Sequence, residues 1–508
     1  MGTVARFDWD MWAMIAKLAN RMMMFARATR GNVAMIFALV LTPLTVLSGG
    51  AVDLNQALNA RTRLSQALDA AALAVGVQTS ISETDAAALA HDFLQANYQN
   101  REIGSVQNLV VTLDTVNDRV RVSAESKVET IVLGLIGIPY LTVGWESEVQ
   151  RARSELELVM VLDNTGSMGG SKISSLRSAG LLLTDILFDG ADAGMLRIGL
   201  VPFSSTVNVG TRFERAWWMD PDGLSPVHSE NFSPAANRWD IYDTIRNRDW
   251  TGCVEARPIP HDIEDTPPSA GDPETLFVPY FAPDESDRGS YSNDYLDDDM
   301  GGYDERARMR NTSKYTNAWI SGAGPGWGCT ARPITPLTSN RRTIDDAIGD
   351  MIANGTTNIP NGIGWGVRVL SPGEPFTGGS AFGEEDTIKA MVVLTDGENV
   401  INGRYNQNYS DYSGYGYARD GRVGVVSSSS GTLSNALDAR TLAACEYAKS
   451  LGIRVYTITF QVNSTSTRNM MRDCASTPYL YFDSPSESAL RSAFEMIAGD
   501  LTNLRLSR

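Results

Sequence analysis

Histidine and cysteine are scarce in this chain, with three and four residues respectively among 508. No two cysteines form a CxxC pair, which excludes a structural zinc site of the usual spacing. The formal net charge is −17, and no basic block occurs after the first thirty residues. Because proteins contact nucleic-acid phosphates chiefly through lysine and arginine, we expect no nucleic-acid binding.

The motifs of common enzymes are missing as well. There is no GxSxG elbow of the kind that presents a catalytic serine. Ser167 is a candidate nucleophile, but His228 and His261 both lie in an irregular segment. The GGSK sequence that ends at Lys172 lacks the GxxxxGKS/T spacing of a phosphate-binding loop. We therefore predict a protein that is not an enzyme.

A long uncharged run lies near the N-terminus. Residues 31–52 are 22 positions without a charge, between Arg30 and Asp53. At about 1.5 Å per residue, a helix of this length covers the ~30 Å hydrocarbon core of a bilayer, so we predict one transmembrane span. A cleaved signal peptide is the alternative, but its apolar region is normally shorter.

The charges before the span predict its orientation. The first thirty residues hold five basic side chains and two acidic ones: Arg6, Lys17, Arg21, Arg27 and Arg30 against Asp8 and Asp10. By the positive-inside tendency, this segment stays in the cytoplasm and the rest of the chain lies outside it.

All four cysteines fall in the part predicted to be exported, where disulfides are favoured over free thiols. Three pairings are possible. We favour Cys253 with Cys329, because both flank one irregular segment, and Cys445 with Cys474, because both lie in the last third of the same domain. A buried free thiol at Cys445 is the alternative.

The pattern of the chain changes at about residue 155. Before it, an alanine-rich and leucine-rich helix continues from the span, followed by a second helix and strand-like runs, which predicts a small α+β region. After it, apolar strands alternate with helices, which is typical of a parallel sheet covered on both faces.

Residues 205–336 interrupt this order with an insertion rich in aromatic residues, for which we expect a small core of its own. A second irregular segment covers residues 401–431. An acidic run at 284–305 is expected to be a solvated loop, with Ca²⁺ binding as the alternative.

Oxygen-bearing side chains that could bind a metal occur at three places. Asp163, Thr165 and Ser167 come directly after one apolar run, Asp396 follows another, and Thr357 lies on a loop before a helix. Hard divalent cations take oxygen ligands, and open α/β sheets bind ligands at the carboxyl ends of their strands. The sequence therefore predicts a metal site here. In isolation, a helix N-cap at Asp163 and a turn at Asp396 are the alternatives.

The segment from about residue 155 to the C-terminus resembles a von Willebrand factor A domain with a metal-ion-dependent adhesion site. The pattern of that site is D-x-S/T-x-S followed by a distant threonine and a distant aspartate. The resemblance implies a doubly wound, Rossmann-like parallel sheet that binds Mg²⁺, or Mn²⁺ or Ca²⁺, through Asp163, Thr165, Ser167, Thr357 and Asp396. It also implies that the two aspartates act partly through water, that the hydroxyls bind directly, and that a carboxylate of a partner protein fills an open position. The large insertion before Thr357 departs from the family pattern.

The N-terminal sequence GNVAMIFALVLTPLTVLSGGAVDLNQALNARTRLSQALDAAALA resembles the pilin-like region of TadG-type proteins. These belong to the tight-adherence (Tad, or Flp) pilus assembly system. In that family GNxA precedes an apolar run, AVD and LQxALDAAALA recur, and a von Willebrand factor A domain often follows.

The combined resemblance implies a non-enzymatic pilus-assembly protein of the bacterial inner membrane, single-pass, with a cytoplasmic N-terminus and most of the chain in the periplasm. Its expected partners are pilins, minor pilins or other pilus-assembly components that supply a carboxylate to the metal. A surface adhesin or matrix-binding protein and a metal-dependent hydrolase are the alternatives. The expected organisation is a cytoplasmic basic segment (1–30), a transmembrane helix (31–52), a pilin-like TadE/TadG-type region (53–154), a von Willebrand factor A domain in two parts (155–204 and 337–508) and a disulfide-pinned insertion (205–336).

Overall fold

The computed structural model describes residues 32–78, 81–98, 104–114, 119–150, 154–189, 194–287, 291–298 and 304–506. The chain divides into two compact units, residues 1–151 and residues 152–508. The basic segment predicted at 1–30 lies outside the described residues.

The first unit contains two helices and a three-stranded antiparallel sheet in the order β1-β2-β3. Its elements are α1 (Asn32–Gly76), α2 (Glu83–Asn97), β1 (Ser105–Asp114), β2 (Arg119–Glu129) and β3 (Tyr140–Gln150). Helix α1 joins the predicted span to the predicted helix beyond it without a break. Among the described residues, it is the one helix long and apolar enough to cross a membrane.

Helix α1 packs on the rest of the first unit through one face. The buried positions recur at helical spacing, so they form a single stripe. The core consists of Leu64, Ala67, Leu68, Ala71, Ala72 and Val75 of α1, Ala86, Ala90 and Leu94 of α2, and Val120, Val122 and Ala124 of β2. The part of α1 before this stripe has large exposed apolar side chains, as expected for a membrane helix.

The second unit is built on a mixed sheet. Its strands are β4 (Glu155–Asp163), β5 (Leu196–Phe203), β6 (Val207–Asn208), β7 (Cys253–Val254), β8 (Thr335–Thr338), β9 (Thr387–Thr395), β10 (Arg454–Phe460) and β11 (Tyr481–Ser484). The order is β11-β10-β9-β4-β5, all parallel, with β8 antiparallel to β5. Strands β6 and β7 extend the sheet beyond β5. Apart from the two short strands β6 and β7, the chain order is the 3-2-1-4-5-6 arrangement of a doubly wound fold.

Helices cover both faces of this sheet. They are α3 (Ser171–Asp189), α4 (Arg238–Thr244), α5 (Glu305–Arg310), α6 (Arg341–Gly349), α7 (Ile359–Leu370), α8 (Ser430–Ser450), α9 (Thr465–Cys474) and α10 (Glu487–Leu506). Helices α3, α6 and α10 pack on one face, and α7, α8, α9 and the insertion pack on the other. Successive β4 residues point to opposite faces, so both Leu158 and Val159 are buried. This confirms the predicted doubly wound α/β fold.

The two irregular segments form one structure. The disulfide Cys253–Cys329 closes the insertion, and Cys445–Cys474 joins α8 to α9, so the favoured pairing is confirmed. Buried Glu255 of the insertion binds Arg422 of the second irregular segment at 2.7 Å. Its other oxygen accepts hydrogen bonds from Arg238 and from Tyr412 Oη, both at 2.7 Å. Because a buried carboxylate needs such partners, these contacts hold the two segments together.

The expectation of a solvated acidic run was wrong for several of its residues. Asp284, Glu285 and Asp298 are buried. The Lys314 ammonium lies 2.8 Å from carboxylate oxygens of both Asp284 and Asp298. Burial raises the pKa of Asp284 to about 6, and the Lys314 charge acts in the opposite direction. The run therefore contributes to the core of the insertion.

Candidate metal centre

The first loop of the candidate site leaves the carboxyl end of β4. Asp163, the last residue of that strand, is fully buried. Its Oδ1 accepts a hydrogen bond from the Thr165 backbone N–H at 2.9 Å. The Thr165 and Ser167 hydroxyl oxygens lie 2.9 Å apart. A short 3₁₀ turn at Gly166–Met168 then leads to α3, so the loop turns three oxygen-bearing side chains toward one region.

The loop after β9 brings the second carboxylate. Strands β4 and β9 are parallel neighbours, so their carboxyl ends meet at one edge of the sheet. The Ser167 hydroxyl donates to Asp396 Oδ1 at 2.6 Å. The Thr395 hydroxyl, one residue earlier, donates to Asp163 Oδ2 at 2.7 Å. Asp163, Thr165, Ser167 and Asp396 are therefore joined in one chain of hydrogen bonds.

The loop that carries Thr357 meets the first loop through its backbone. The Gly166 N–H donates to the Gly355 carbonyl at 2.9 Å. Gly355 has a φ of +92°, and a Cβ there would lie 3.0 Å from Thr330 Oγ1, so this close approach requires glycine. Buried Thr357 accepts a hydrogen bond at its carbonyl from Val400 N–H at 2.8 Å. The hydrogen bonds that join the other four side chains do not include its hydroxyl group.

A lysine supplies positive charge at the same place. The Lys172 ammonium, in the first turn of α3, lies 2.6 Å from Asp396 Oδ2. Burial raises the pKa of Asp163 to about 6, with a further contribution from the negative charge of Asp396. Hydrogen bonds from Thr165 and Thr395 act in the opposite direction. Two carboxylates this close favour a bound cation, because positive charge stabilises the ionised form of both.

The donor set determines which ions fit. Among the described residues, no group of three or more His, Cys, Asp or Glu side chains is placed to hold a metal ion. The candidate site instead combines two carboxylates with neutral hydroxyls. These are hard oxygen donors, which suit Mg²⁺, Mn²⁺ or Ca²⁺ better than ions that prefer nitrogen or sulfur.

A cleft of about 390 Å³ lies beside the loop that carries Gly355 and Thr357. Its walls come from three parts of the second unit: the insertion, the loop before α7 and the 401–431 segment. They include Trp327, Gly328, Thr330, Gly355, Thr356, Asn402 and Tyr412. The cleft and the candidate metal site share the loop at Gly355, so a ligand of the site would also lie near the irregular segments.

Residues 31–78 match the family described as putative Flp pilus-assembly TadE/G-like. We call residues 31–78 the TadE/G-like segment. The match covers α1 and the two residues after it, so it describes this helix and not the second unit. It confirms the resemblance given by the sequence. No curated protein matches the chain.

The chain also has structural similarity to several solved proteins. The pilus adhesin SpaC from Lactobacillus rhamnosus GG is 14% identical, with a TM-score of 0.31, over 78% of this chain and 34% of the adhesin. The von Willebrand factor domain of the type V pilus tip protein Mfa5 from Porphyromonas gingivalis is 10% identical, with a TM-score of 0.34, over 70% and 97%. A mussel byssus matrix protein with a zinc-occupied adhesion-site motif is 11% identical, with a TM-score of 0.30, over 68% and 48%. The chain thus spans about a third of the length of SpaC.

Two side chains at the site, and the cleft, were missed by the sequence interpretation. Thr395 stands directly before Asp396, and a hydroxyl at the end of an apolar strand was its only signal. Lys172 was considered only as part of a phosphate loop. Neither residue lies in the TadE/G-like segment. Their contacts with Asp163 and Asp396 form only when β4, β9 and α3 pack together.

Proposed function

We propose that this chain is a non-enzymatic, membrane-anchored pilus-assembly protein of the Tad/Flp type that binds a protein partner through a divalent cation. One observation carries the proposal. Asp163, Thr165, Ser167 and Asp396 form a continuous hydrogen-bonded chain at the carboxyl ends of two neighbouring parallel strands. Such an edge is where open α/β sheets bind their ligands.

The five candidate ligands would hold Mg²⁺ with two charged and three neutral oxygens. Asp163 and Asp396 provide the charge, and Thr165, Ser167 and Thr357 provide hydroxyls. When bound, the cation supplies an electrophilic centre that accepts a further oxygen ligand. Since the hydroxyls carry no charge, they leave much of the positive charge of the ion available to that ligand.

The partner would contribute a carboxylate, in our proposal from a pilin, a minor pilin or another pilus-assembly component. The net charge of this chain is −17, so an acidic partner is repelled at long range unless a local positive charge attracts it. A divalent cation at the rim of the sheet supplies that charge. Residues next to the partner carboxylate would then enter the cleft beside Gly355, where the two irregular segments form the walls.

The TadE/G-like helix supports a membrane anchor. We propose a single pass through the bacterial inner membrane with a cytoplasmic N-terminus, because the five basic residues precede the span. The second unit then lies in the periplasm. Its two disulfides are consistent with that compartment, since disulfides persist outside the reducing cytoplasm.

The contacts of Ser167 support a binding role over hydrolysis. Its hydroxyl donates to Asp396 rather than to a histidine. His228 is buried in the insertion, where it lies 3.4 Å from Asp220 and accepts a hydrogen bond from the Arg238 backbone N–H. Its surroundings therefore suit a structural role.

The test is capture of the pilus components by the full-length protein in detergent, with Mg²⁺ or with EDTA. We expect capture in Mg²⁺, loss of capture in EDTA, and loss in Asp163→Ala, with membrane insertion unchanged. Asp473→Ala, an exposed aspartate on α9, is the matched control and should capture as the native protein does. Equal capture in EDTA would contradict a cation-dependent interface.

A further inference from the structure

The loop between β2 and β3 is tied to α1 by one buried carboxylate. Asp53 Oδ1 accepts a hydrogen bond from the Ile131 backbone N–H at 2.9 Å. Asp53 Oδ2 accepts two more, from the N–H groups of Val132 at 2.9 Å and Leu133 at 2.8 Å. Asp53 is 1% exposed, so the loop covers it. We refer to residues 131–139 as the β2–β3 loop.

The glycines of α1 bring the same loop against the helix. A Cβ at Gly49 would lie 2.4 Å from Val132 Cγ2, and one at Gly50 would lie 3.3 Å from Leu133 Cδ2. Only glycine at position 49 allows this approach. Since the uncharged run covers 31–52, the β2–β3 loop packs on its last turn.

This contact defines where the loop lies along the helix axis. A helix of 22 residues is about 33 Å long, close to the ~30 Å thickness of the hydrocarbon core. If the uncharged run spans the bilayer, its last turn lies at the outer boundary of the hydrocarbon. The β2–β3 loop must lie at the same level, because Asp53 and the two glycines hold it there.

The loop presents apolar side chains outward at that level. Leu135 is 84% exposed and Ile131 is 66% exposed, and Ile136 and Ile138 are exposed as well. Residues 131–139 contain no charge. The chain turns sharply after the 3₁₀ turn through Gly137, whose φ is +94°. The aliphatic side chains thus lie on a short loop that is held in place by α1. No other described residue covers them.

The residues next to the loop are of the type found at membrane interfaces. Tyr140 begins β3 and is 44% exposed. The Lys127 ammonium lies 4.0 Å from the centre of its ring. Tyrosine is enriched where an apolar ring meets the headgroups, and lysine places its charge on the aqueous side. The order from apolar loop to tyrosine and lysine follows the order from hydrocarbon to water.

We propose that the β2–β3 loop inserts its aliphatic tip into the outer boundary of the same bilayer that α1 spans. The occupant of this surface is lipid, since the surface is continuous with the membrane-embedded part of α1. This inference rests on the proposed membrane anchor. The inserted loop gives the first unit a second point of contact with the membrane, beside the helix, and so restricts how α1 tilts and rotates.

The test uses a fluorescent probe on single cysteines in the full-length protein. The four native cysteines are all in disulfides, so an added cysteine is the only free thiol. Leu135→Cys carries an environment-sensitive nitrobenzoxadiazole label in the loop. Because the Leu135 side chain is 84% exposed, its replacement should not disturb the packing of the loop. Val77→Cys is the matched control: it is 59% exposed and about 36 Å beyond Asp53 along the helix axis. Leu44→Cys, 54% exposed within the uncharged run, reports on the span itself.

The proteins are reconstituted in vesicles of phosphatidylethanolamine and phosphatidylglycerol, with and without lipids that carry a quenching doxyl group near the headgroup end of the acyl chain. We expect the emission at position 135 to shift to the blue relative to position 77 and to be quenched by the doxyl lipid. Emission at 135 that matches 77 would overturn the inference. A blue shift without lipid quenching would also overturn it, because a second copy or a partner protein would then cover the loop. Absence of quenching at position 44, with a doxyl group deep in the chain, would instead refute the anchor.

Discussion

Asp163→Asn separates the role of Asp163 in binding from its effect on stability. The asparagine has nearly the same shape, and its amide preserves the local hydrogen bonds: the side-chain oxygen accepts from Thr165 N–H, and the nitrogen donates to Thr395 Oγ1. The Thr395 hydroxyl donates in turn to the Gly397 carbonyl, 3.1 Å away. The substitution therefore removes one buried negative charge and little else.

The expected magnitude follows from the buried charge. Burial, assisted by Asp396, raises the pKa of Asp163 from 3.8 to about 6. Because the folded-state pKa of an acid is raised, the ionised group destabilises the fold at pH 7, by roughly 3 kcal/mol at about 1.4 kcal/mol per pKa unit. In EDTA we expect Asp163→Asn to be more stable than the native protein, by up to about that amount.

Magnesium should offset most of this difference in stability. A ligand at one hundred times its dissociation constant adds about 2.7 kcal/mol to the folded state that binds it. We expect Mg²⁺ to raise the thermal unfolding temperature of the native protein and to leave Asp163→Asn nearly unchanged. The assay is thermal unfolding of the full-length protein in detergent at pH 7, with the exposed Asp473→Asn as control.

Two results would refute this reasoning. If Mg²⁺ stabilised Asp163→Asn as much as the native protein, Asp163 would not hold the ion. If Mg²⁺, Mn²⁺ and Ca²⁺ all left the native protein unchanged, the candidate site would not bind a divalent cation.

Three further predictions concern the rest of the chain. Lys172→Met should tighten Mg²⁺ binding by about threefold to tenfold, measured by calorimetry, because the Lys172 ammonium lies 2.6 Å from Asp396 and competes with the ion. Equal Mg²⁺ affinities of the variant and the native protein would argue against such competition. Glu255→Gln should lower the free energy of unfolding by about 3–5 kcal/mol in denaturant titration, because Arg238 and Arg422 lose a buried charged partner. A change below about 1 kcal/mol would show that these contacts contribute little to stability. Protease added to intact cells should leave the protein whole and should cleave it once the outer membrane is permeabilised, whereas cleavage in intact cells would favour the surface adhesin.

The long apolar helix and the positions of the two aspartates at strand ends were evident from the sequence, because each depends on local patterns. A run of 22 uncharged residues has the length of a bilayer-spanning helix whatever follows it, and the structure makes 32–76 one helix. Apolar runs that end in Asp163 and before Asp396 predicted strands with polar carboxyl ends. The parallel pairing of β4 with β9 then brings those ends together.

Contacts between distant parts of the chain were decided by tertiary structure alone. Thr395 reaches Asp163 across 232 positions, and no local periodicity indicates such a pair. The sequence favoured one of the three disulfide pairings, but only the three-dimensional placement of the cysteines excluded the other two. The acidic run was expected in solvent because a sequence shows its charges but not the lysine that folds against them. Asp53 likewise appears in the sequence as the first charge after the uncharged run, and only the folded unit shows that its carboxylate holds the β2–β3 loop.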